Sequence, residues 1–542
     1  MTAGDRWWRD AVVYQVYPRS FSDGDGDGQG DLAGVRSRLP YLADLGVDAI
    51  WLNPFYPSPL ADGGYDVIDY RAVDPRFGTL EDFDALVGAA ADHGIRVIID
   101  IVPNHCSSQH EWFQAALAAG PGSPERERFI FRDGRPDGSP PNNWYSMFGG
   151  PAWTQVEDGQ WYLHLWDSTQ PDFNWRCSDV PLYFEEVLRF WLDRGVAGIR
   201  VDVALGLFKA ADLPDLLPDM PPVGPGVPYV AQPELFETFA AWRKLLDSYP
   251  ADEFPGARAA VLEAWYDDPD FMAPYMAKGQ LHQVFNLGFM DTPWRAGNLR
   301  QAIDRALEIC GDSETRAPWV LENHDFRRLV TRLGTDQELI LNPTFDYHGG
   351  KMEVDLELGG RRARAAALLL LALPGSAYVY QGQELGLNEV FDIPDERRQD
   401  PLFANTGGVV VGRDGCRVPL PWDGEEPPFG FTAGTGGTWL PQPASWSGLT
   451  VEAQRADPGS MLELYRTAIR LRRSLPQLGD GELTWLPSDP DVLALGRGDG
   501  FVLTLNLGSG PVPLPEGETV LASGELQDGL LPPDTAAWTL LS

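Results

Sequence analysis

Cysteine is scarce in this chain, which has four cysteines among 542 residues. The four show neither the paired spacing of a zinc site nor the density of a disulfide-stabilised secreted domain: Cys106, Cys177, Cys310 and Cys416. Free thiols are typical of proteins from a reducing compartment. We therefore predict a cytoplasmic protein.

Long apolar runs are also missing. The most apolar stretch, residues 365–374, is much shorter than the ~20 residues that a helix needs to cross a bilayer. Residues 1–8 show no apolar signal core. We expect no secretory signal, no membrane span and no membrane partner.

Basic residues are few compared with acidic ones. The 42 Lys and Arg face 79 Asp and Glu, for a net charge of −37. A nucleic-acid partner would require a basic surface, so this class of partner is excluded. No glycine-rich loop indicates a nucleotide, and the sequence leaves the oligomeric state open.

The remaining composition is that of a large globular protein, with 43% hydrophobic and 22% charged residues. Short β-prone segments alternate with helical ones such as 32–45 and 80–93, which predicts βαβ units and a parallel sheet. Eight predicted strands follow one another along the chain: 11–17, 47–52, 96–102, 197–204, 259–265, 281–287, 318–325 and 376–381. The predicted fold class is α/β, a (β/α)₈ TIM barrel.

Two stretches interrupt this rhythm. The segment after the third strand is rich in Gly, Pro, Asn and Trp, and we interpret residues 105–175 as an inserted subdomain (domain B). Short alternating strands follow the helix predicted at 461–475, so residues 476–542 are predicted to form a C-terminal antiparallel β-domain, a sandwich (domain C). The catalytic barrel (domain A) would then comprise residues 1–104 and 176–475.

Three acidic residues end three predicted strands: Asp202, Glu263 and Asp325. In a closed parallel barrel these strand ends meet at one rim, where barrel enzymes place their chemistry. Arg200 points to the same side of its strand as Asp202 and is expected to keep it ionised. A single carboxylate there would be equally typical of a structural ion pair, but three together favour an active site.

Breaking a glycosidic bond explains this set of residues. The reaction needs a proton for the leaving oxygen and a carboxylate for the oxocarbenium-like carbon. Asp202, next to Arg200, suits the nucleophile. Glu263 suits the acid, because its apolar neighbours would desolvate it and a nearby carboxylate would add to the effect.

Residues 23–31, DGDGDGQGD, are a second strong signal. Alternating carboxylates and glycines provide hard oxygen ligands in a flexible loop, as Ca²⁺ prefers. A glycine stands where an EF-hand would have its bidentate Glu, so we favour a structural ion site after the first strand. The alternative is a metal-free surface loop held by Asx turns.

Together these motifs resemble the α-amylase family of glycoside hydrolases (family 13), in its α-glucosidase and oligo-1,6-glucosidase branch. The resemblance covers nearly the whole chain. Five segments carry it, in the order of the family's motifs: 100–105 (DIVPNH), 170–174 (QPDFN), 198–202 (GIRVD), 263–265 (EAW) and 323–325 (NHD).

The resemblance implies a role for each matching residue. Asp202 would be the nucleophile, Glu263 the general acid/base and Asp325 a stabiliser of the transition state. Asp66 and Arg417 would clasp the non-reducing glucose and limit the enzyme to exo action. The residues expected to bind the substrate are Tyr65, Asp66, His105, Arg200, His324 and Arg417.

The resemblance also implies a structural Ca²⁺ in the acidic loop, with Mg²⁺ as an alternative. The expected ligands are Asp23, Asp25, Asp27, Gln29 through its carbonyl, and Asp31. Three positions depart from the usual pattern or leave the linkage open. Leu205 and Leu262 replace common family residues, and Val203 is a residue type that some relatives associate with α-1,6 preference.

We therefore expect a retaining exo-α-glucosidase that cleaves short maltose-like oligosaccharides through a covalent glucosyl-enzyme, with α-1,4 bonds favoured and α-1,6 possible. One alternative is a glucosyl transferase or isomerase on the same site, in which a sugar hydroxyl replaces water. Another is a non-catalytic sugar-binding or transporter-associated protein, although such chains typically lose residues of the carboxyl triad.

Overall fold

The computed structural model describes residues 3–218, 220, 224–266, 268–311, 316–338, 353–478 and 481–542. The first three strands of the main sheet alternate with helices, as predicted. These elements are β1 (Val12–Val16), α1 (Leu32–Ser37), α2 (Leu39–Leu45), β2 (Ala49–Leu52), α3 (Leu80–Asp92) and β3 (Arg96–Ile101).

The helix predicted over 32–45 is in fact two helices. Pro40 lies in the first turn of α2, where it has no backbone N–H to continue the hydrogen-bond ladder of α1. Gly46 ends α2 in the left-handed conformation, with φ 94°, as the sequence indicated. A reciprocal capping box between Thr79 and Asp82 begins α3.

The rest of the barrel follows in the same alternation, with short helices between some of its strands. Its elements are α6 (Asp179–Leu192), β7 (Gly198–Val201), α7 (Leu235–Asp247), β8 (Ala259–Leu262), α8 (Pro269–Met272), β9 (Gln283–Val284), α9 (Leu287–Met290), α10 (Ala296–Cys310), β10 (Pro318–Val320), α11 (Leu329–Leu333), α12 (Leu356–Ala372) and β11 (Ser376–Tyr380).

Eight strands form one parallel sheet in the order β10-β11-β1-β2-β3-β7-β8-β9. The sheet nearly closes on itself, which confirms the predicted (β/α)₈ barrel. Most of the strands end before the predicted limit: β7 stops at Val201 and β8 at Leu262. The acidic residue that follows each of these strands therefore lies on the rim, where its N–H still donates to a carbonyl of the neighbouring strand.

The segment between β3 and α6 forms a small unit of its own. It contains α4 (Glu111–Ala119), α5 (Pro124–Glu127) and a three-stranded antiparallel sheet of β4 (Phe131–Asp133), β5 (Trp153–Gln155) and β6 (Gln160–Leu163). The sequence analysis missed α4, because its helical period is short and surrounded by turn-forming residues. These elements lie inside the predicted limits 105–175, and the limits themselves stay predictions.

The C-terminal part is antiparallel, as predicted. It follows α13 (Pro401–Asn405), α14 (Val451–Arg455) and α15 (Met461–Ser474). A five-stranded sheet has the order β12-β13-β14-β18-β16, and β15 pairs with β17. The strands are β12 (Leu483–Trp485), β13 (Val492–Arg497), β14 (Phe501–Asn506), β15 (Val512–Pro513), β16 (Gly517–Ala522), β17 (Leu530–Leu531) and β18 (Thr535–Leu541).

Helix α12 explains the most apolar stretch of the sequence. The helix joins the barrel to the C-terminal sheet, where Trp538 Nε1 donates a hydrogen bond to the Leu368 carbonyl at 3.2 Å. Its residues from Ala365 to Ala372 are buried. Within the described ranges, none of the helices combines the length and the apolarity that a bilayer crossing requires.

All four cysteines are free. Three of them are buried: Cys106, Cys310 and Cys416. This agrees with the prediction that no disulfide stabilises the chain.

Two adjacent glycines in α12 provide a matched test of packing. A Cβ at Gly359 would overlap the Val330 carbonyl of α11, whereas a Cβ at Gly360 would have no described neighbour within 4 Å. We expect Gly359→Ala to destabilise the protein by about 1–3 kcal/mol through overpacking. Gly360→Ala should stabilise it by about 0.5–1 kcal/mol through helix propensity. Thermal unfolding of both variants checks this, and equal melting temperatures would contradict the close contact of α11 with α12.

Candidate active site

The three predicted carboxylates meet in one pocket at the carboxyl ends of the barrel strands. Asp202 and Glu263 come directly after β7 and β8, and Asp325 follows β10 by five residues. The barrel therefore brings together groups that are 61 and 62 residues apart in sequence. The residues that line the pocket are Asp62, Tyr65, His105, Phe148, Trp166, Asp202, Val203, Glu263, Trp265, Asp325 and Arg413.

The buried guanidinium of Arg200 joins three carboxylates below the pocket. Its Nη1 donates to Asp202 Oδ1 at 2.6 Å and to Asp100 Oδ1 at 2.7 Å. Its Nη2 lies 2.9 Å from Glu263 Oε2. Arg200 is 1% exposed, so these pairs are shielded from water.

The Asp202 carboxyl holds a proton more strongly than an isolated carboxyl. Burial raises the pKa of Asp202 well above its ordinary value, and the charges of Glu263 and Asp100 and a hydrogen bond with Glu263 raise it further. Arg200 lowers the pKa of Asp202, as expected, but does not prevail. The expected hydrogen bond from Arg200 to Asp202 is present, but the expectation that it keeps Asp202 ionised is not met, because three carboxyls share one guanidinium.

The Glu263 carboxylate is held by hydrogen-bond donors on both oxygens. The Val203 N–H donates to Oε2 at 2.9 Å, and Trp265 Nε1 donates to Oε1 at 3.1 Å. Glu263 was predicted to lie among apolar neighbours, but in the structure it also accepts these two hydrogen bonds. Val203 presents its N–H from the left-handed region, with φ 45° and ψ 41°. Such a conformation in a β-branched residue costs about 1–3 kcal/mol, which the rest of the site must offset.

Asp325 has the opposite electrostatic environment. Its Oδ1 lies 3.0 Å from Arg413 Nη1 and 2.9 Å from Arg417 Nη2. Burial alone would raise the pKa of Asp325, but His324 and the two guanidinium groups lower it below its ordinary value. These groups therefore favour the anionic form of Asp325.

The expected clasp of Asp66 with Arg417 is not the one that the structure forms. Asp66 Oδ1 accepts from the Ser58 hydroxyl at 2.7 Å, and its Oδ2 accepts from the Ala61 N–H at 2.9 Å. Asp66 thus closes the turn that presents Asp62. Arg417 lies behind Asp325, where its Nε donates to the His324 carbonyl at 2.9 Å.

The ion pair that does cross the end of the pocket joins Asp62 to Arg413. Arg413 Nη2 lies 2.7 Å from Asp62 Oδ1, and its Nε lies 2.6 Å from Asp400 Oδ2. Neither residue was predicted from the sequence, although each lies four residues before a predicted one. Spacing alone could not decide which of two acids and which of two arginines would reach the pocket.

The inserted segment is fastened to this end of the pocket. Gln170 Nε2 donates to Asp62 Oδ2 at 3.1 Å and lies 3.2 Å from His105 Nε2. Asp172 forms a buried ion pair with Lys209 at 2.7 Å, on the loop after β7. The 170–174 motif therefore links the inserted segment to the Asp62–Arg413 ion pair, which we call the clasp, and to the loop that follows Asp202.

The remaining predicted substrate-binding residues occupy two layers. Tyr65 and His105 line the pocket itself. His324 lies behind Tyr65, with the two rings stacked at a centroid distance of 5.2 Å. Tyr65 also donates through its hydroxyl to Asp100 Oδ2 at 3.0 Å.

The acidic loop brings together three of its five predicted ligands. One carboxylate oxygen each of Asp23, Asp25 and Asp27 lies within 4.8 Å of the others. Asp31 instead caps α1, because its oxygens accept from the Gly24 and Gly34 amides at 2.9 and 2.6 Å. The side-chain oxygen of Gln29 accepts from Arg19 Nε at 2.8 Å, which leaves only its backbone carbonyl for an ion.

Glu389 supports the segment that carries Arg413 and Arg417. Its Oε2 accepts from the Arg328 N–H at 2.8 Å. Its other oxygen packs so closely on Gly415 that a Cβ there would overlap the carboxyl group. Burial raises the pKa of Glu389 to about 7.

The site lies within the part of the chain that matches a known protein family. Residues 15–481 match the model of the alpha-amylase catalytic domain. The chain is 37% identical over 519 residues to a probable alpha-glucosidase of Rhizobium meliloti, covering 91% of this chain and 87% of that protein. It is 34% identical over 520 residues to an oligo-1,6-glucosidase of Heyndrickxia coagulans, covering 89% and 88%.

Two solved structures are similar over nearly their full length. The alpha-glucosyl transfer enzyme XgtA superposes with a TM-score of 0.84 at 38% identity, covering 98% of this chain and 99% of that one. The trehalulose synthase MutB of Pseudomonas mesoacidophila superposes with a TM-score of 0.83 at 30% identity, covering 99% of both chains.

Glu389 predicts a pH dependence of stability. An unfolded glutamate ionises near pH ~4.3, so the folded protein keeps a proton that the unfolded chain loses between there and about pH 7. The wild type therefore loses up to about 3 kcal/mol of stability as the pH rises through this window. Glu389→Gln retains an acceptor and cannot ionise. We expect its melting temperature, relative to wild type, to increase between about pH 5 and about pH 8.

The exposed Glu518→Gln is the matched control and should show no such trend. A difference in melting temperature between Glu389→Gln and wild type that stays constant or falls with pH would contradict the raised pKa of Glu389.

Proposed function

The chain belongs to the alpha-amylase family of glycoside hydrolases, and from that membership we propose that it is a retaining, exo-acting α-glucosidase. It is an enzyme of the α-glucosidase type, with relatives named alpha-glucosidase and oligo-1,6-glucosidase. The proposed substrates are short maltose-like oligosaccharides, with α-1,4 bonds favoured and α-1,6 bonds possible. The observation that carries the proposal is that one guanidinium, that of Arg200, contacts both Asp202 Oδ1 at 2.6 Å and Glu263 Oε2 at 2.9 Å, in the pocket that also contains Asp325.

The closeness of the two carboxyls supports retention. Inverting enzymes separate theirs by about 6.5–9.5 Å to admit a water, whereas retaining enzymes bring them to about 5–5.5 Å. In the proposed first step, the proton held at Asp202 passes to Glu263, which gives it to the glycosidic oxygen while the Asp202 carboxylate attacks the anomeric carbon. The leaving sugar departs, and a covalent glucosyl-enzyme forms.

The second step reverses these roles. The Glu263 carboxylate removes a proton from water, whose oxygen attacks the anomeric carbon and releases Asp202 as a carboxylate. Arg200 contacts both acids, so it compensates the negative charge as it moves from one to the other. The left-handed Val203 keeps its N–H on Glu263 Oε2 throughout.

The ionised Asp325 suits the transition state. Because its pKa is low, Asp325 can accept hydrogen bonds from sugar hydroxyls, and its negative charge stabilises the positive charge that develops on the ring. The guanidinium groups of Arg413 and Arg417 keep it from taking the proton that the first step requires on Glu263.

The clasp supports exo action. Arg413 is bound at once by Asp62, Asp325 and Asp400, and its guanidinium lies 5.2 Å from the ring of Phe148. In the proposed complex, this arrangement would close the pocket beyond the glucose unit at the cleaved bond. A chain could then enter only with its non-reducing end.

Glucosyl transfer is the second candidate, favoured by one observation. The half-buried Trp265 lines the pocket beside Glu263, and its ring stacks on Phe326 at 5.4 Å. An aromatic face on the leaving-group side can hold a sugar acceptor in the place of water. The transfer enzymes among the similar structures agree with this possibility. A non-catalytic role has no such support, since all three carboxyls are retained in one pocket.

The test is a comparison of maltose, isomaltose, sucrose and trehalose, with products followed by time-resolved NMR. We expect α-glucose to appear first from maltose. Asp202→Asn should lower kcat on the order of 10³-fold or more, because it removes the nucleophile. The exposed Asp69→Asn is the control and should keep full activity. Initial release of β-glucose would contradict retention, and accumulation of new disaccharides would favour transfer.

We also propose that Asp23, Asp25 and Asp27 hold a structural Ca²⁺, with Mg²⁺ as the alternative. Three carboxylates on a glycine-rich loop are the donor set that a hard cation prefers. Ca²⁺ at about 100 times its Kd should stabilise the fold by about 2.7 kcal/mol.

Calorimetric titration with Ca²⁺ and with Mg²⁺ checks this, together with the melting temperature. Asp25→Asn should weaken binding at least about tenfold. Asp252→Asn, an exposed acid elsewhere, should not. Absence of heat and of a thermal shift with both ions in the wild type would favour a metal-free loop.

The cytoplasmic location stays a proposal. It is supported by the four free thiols, which suit a reducing compartment.

A further inference from the structure

His324 is buried between aromatic rings at the base of the pocket. Tyr65 stacks on it at 5.2 Å and 10°, and Tyr17 lies at 6.3 Å and 16°. Burial lowers the pKa of His324 well below its ordinary value, so the ring is neutral and only one nitrogen carries a proton. The choice of nitrogen matters, because Nε2 lies 3.2 Å from Asp325 Oδ2.

The direction of the hydrogen bonds around His324 can be derived from Asp100. Asp100 Oδ2 accepts from Trp51 Nε1 at 3.1 Å, and an indole N–H can only donate. Its Oδ1 accepts from Arg200, which also can only donate. The Tyr65 hydroxyl must therefore give its proton to Asp100 Oδ2, at 3.0 Å. Its oxygen is then an acceptor for any other neighbour.

That neighbour is the Asn53 side chain. Its Nδ2 donates to the Tyr65 oxygen at 2.7 Å and lies 3.5 Å from Asp100 Oδ2. The amide cannot be turned around, because its oxygen would then face two acceptors. Asn53 Oδ1 therefore points to Gln15, whose Nε2 donates to it at 2.9 Å.

Gln15, on β1, completes the chain of donors. The same Nε2 lies 2.8 Å from His324 Nδ1. An amide NH₂ has two protons and no lone pair to offer, so one proton serves Asn53 and the other serves the histidine. His324 Nδ1 must then be the nitrogen without a proton.

We propose that Gln15 is a positioning residue that fixes His324 in the tautomer with its proton on Nε2. Trp51, Asp100, Tyr65 and Asn53 dictate the orientation of the Gln15 amide, and Gln15 transmits it to His324. The N–H then faces Asp325 Oδ2 and attracts it. In the other tautomer a nitrogen lone pair would lie against the carboxylate and repel it.

The tautomer also affects the group that would bind the substrate. Nε2 is buried, and the group that its N–H faces is Asp325 Oδ2, at 3.2 Å. The proton on Nε2 therefore acts on the carboxylate that would accept the sugar hydroxyls, not on the sugar directly. This consequence rests on the proposed function, whereas the tautomer itself does not.

The test is a long-range ¹H–¹⁵N correlation spectrum of protein labelled with ¹⁵N-histidine, recorded above neutral pH. The chain has seven histidines, and the absence of one signal set in His324→Gln assigns its resonances. We expect the wild type to show a protonated Nε2 and an unprotonated Nδ1. Gln15→Leu, which removes the donor, should shift the proton partly to Nδ1. Gln15→Glu, a close isostere that accepts, should place a proton on Nδ1.

Activity provides a second readout. Loss of the correct tautomer should lower kcat about 10- to 100-fold, as loss of a charge-assisted hydrogen bond does, with a smaller change in KM. Gln283→Leu is the matched control, because Gln283 is also a buried barrel glutamine but bonds to Ser376 at 2.9 Å. It should leave the His324 signals and kcat unchanged.

A wild-type His324 protonated on Nδ1, or an Nε2–H tautomer that persists in both Gln15 variants, would overturn the proposal. Failure of the proposed function would look different. The wild type would cleave no α-glucoside, while the His324 spectra would still report the tautomer.

Discussion

The site depends on one buried cation, the guanidinium of Arg200, which contacts Asp100, Asp202 and Glu263 at 2.6–2.9 Å. Burying a carboxylate costs several kcal/mol unless a partner compensates it. Here three acids share a single partner, so the group as a whole is short of positive charge. This shortage raises the pKa of Asp202 well above its ordinary value, and the proposed cleavage step needs one proton on this group of acids.

Asp325 illustrates the opposite solution in the same pocket. Two guanidinium groups, from Arg413 and Arg417, reach one of its oxygens and lower the pKa of its carboxyl. The two halves of the pocket thus differ in the ratio of arginine to carboxylate. That ratio, rather than the identity of the acids, separates the proton-holding pair from the acid that stays charged.

Other parts of the chain hold these charged side chains in their relative positions. The inserted segment reaches Asp62 and His105 through Gln170, and the loop after Asp202 through Asp172 and Lys209. Glu389 supports the arginine-bearing segment from below. A series of hydrogen bonds leads from Asp100 to His324 and, in our proposal, fixes which ring nitrogen of His324 carries the proton. The pocket is therefore assembled from elements that are hundreds of residues apart.

The sequence by itself determined the barrel, the order of its strands and the three carboxylates at their ends. Alternating strand and helix signals are local, and an acid just after an apolar strand can be recognised without any distant contact. Only the tertiary structure decided that Asp62 and Arg413, rather than Asp66 and Arg417, cross the pocket, that Asp31 caps a helix, and that Gln15 faces His324. Each of these pairings depends on how a turn points its side chain across space, and residue spacing carries no information about that direction.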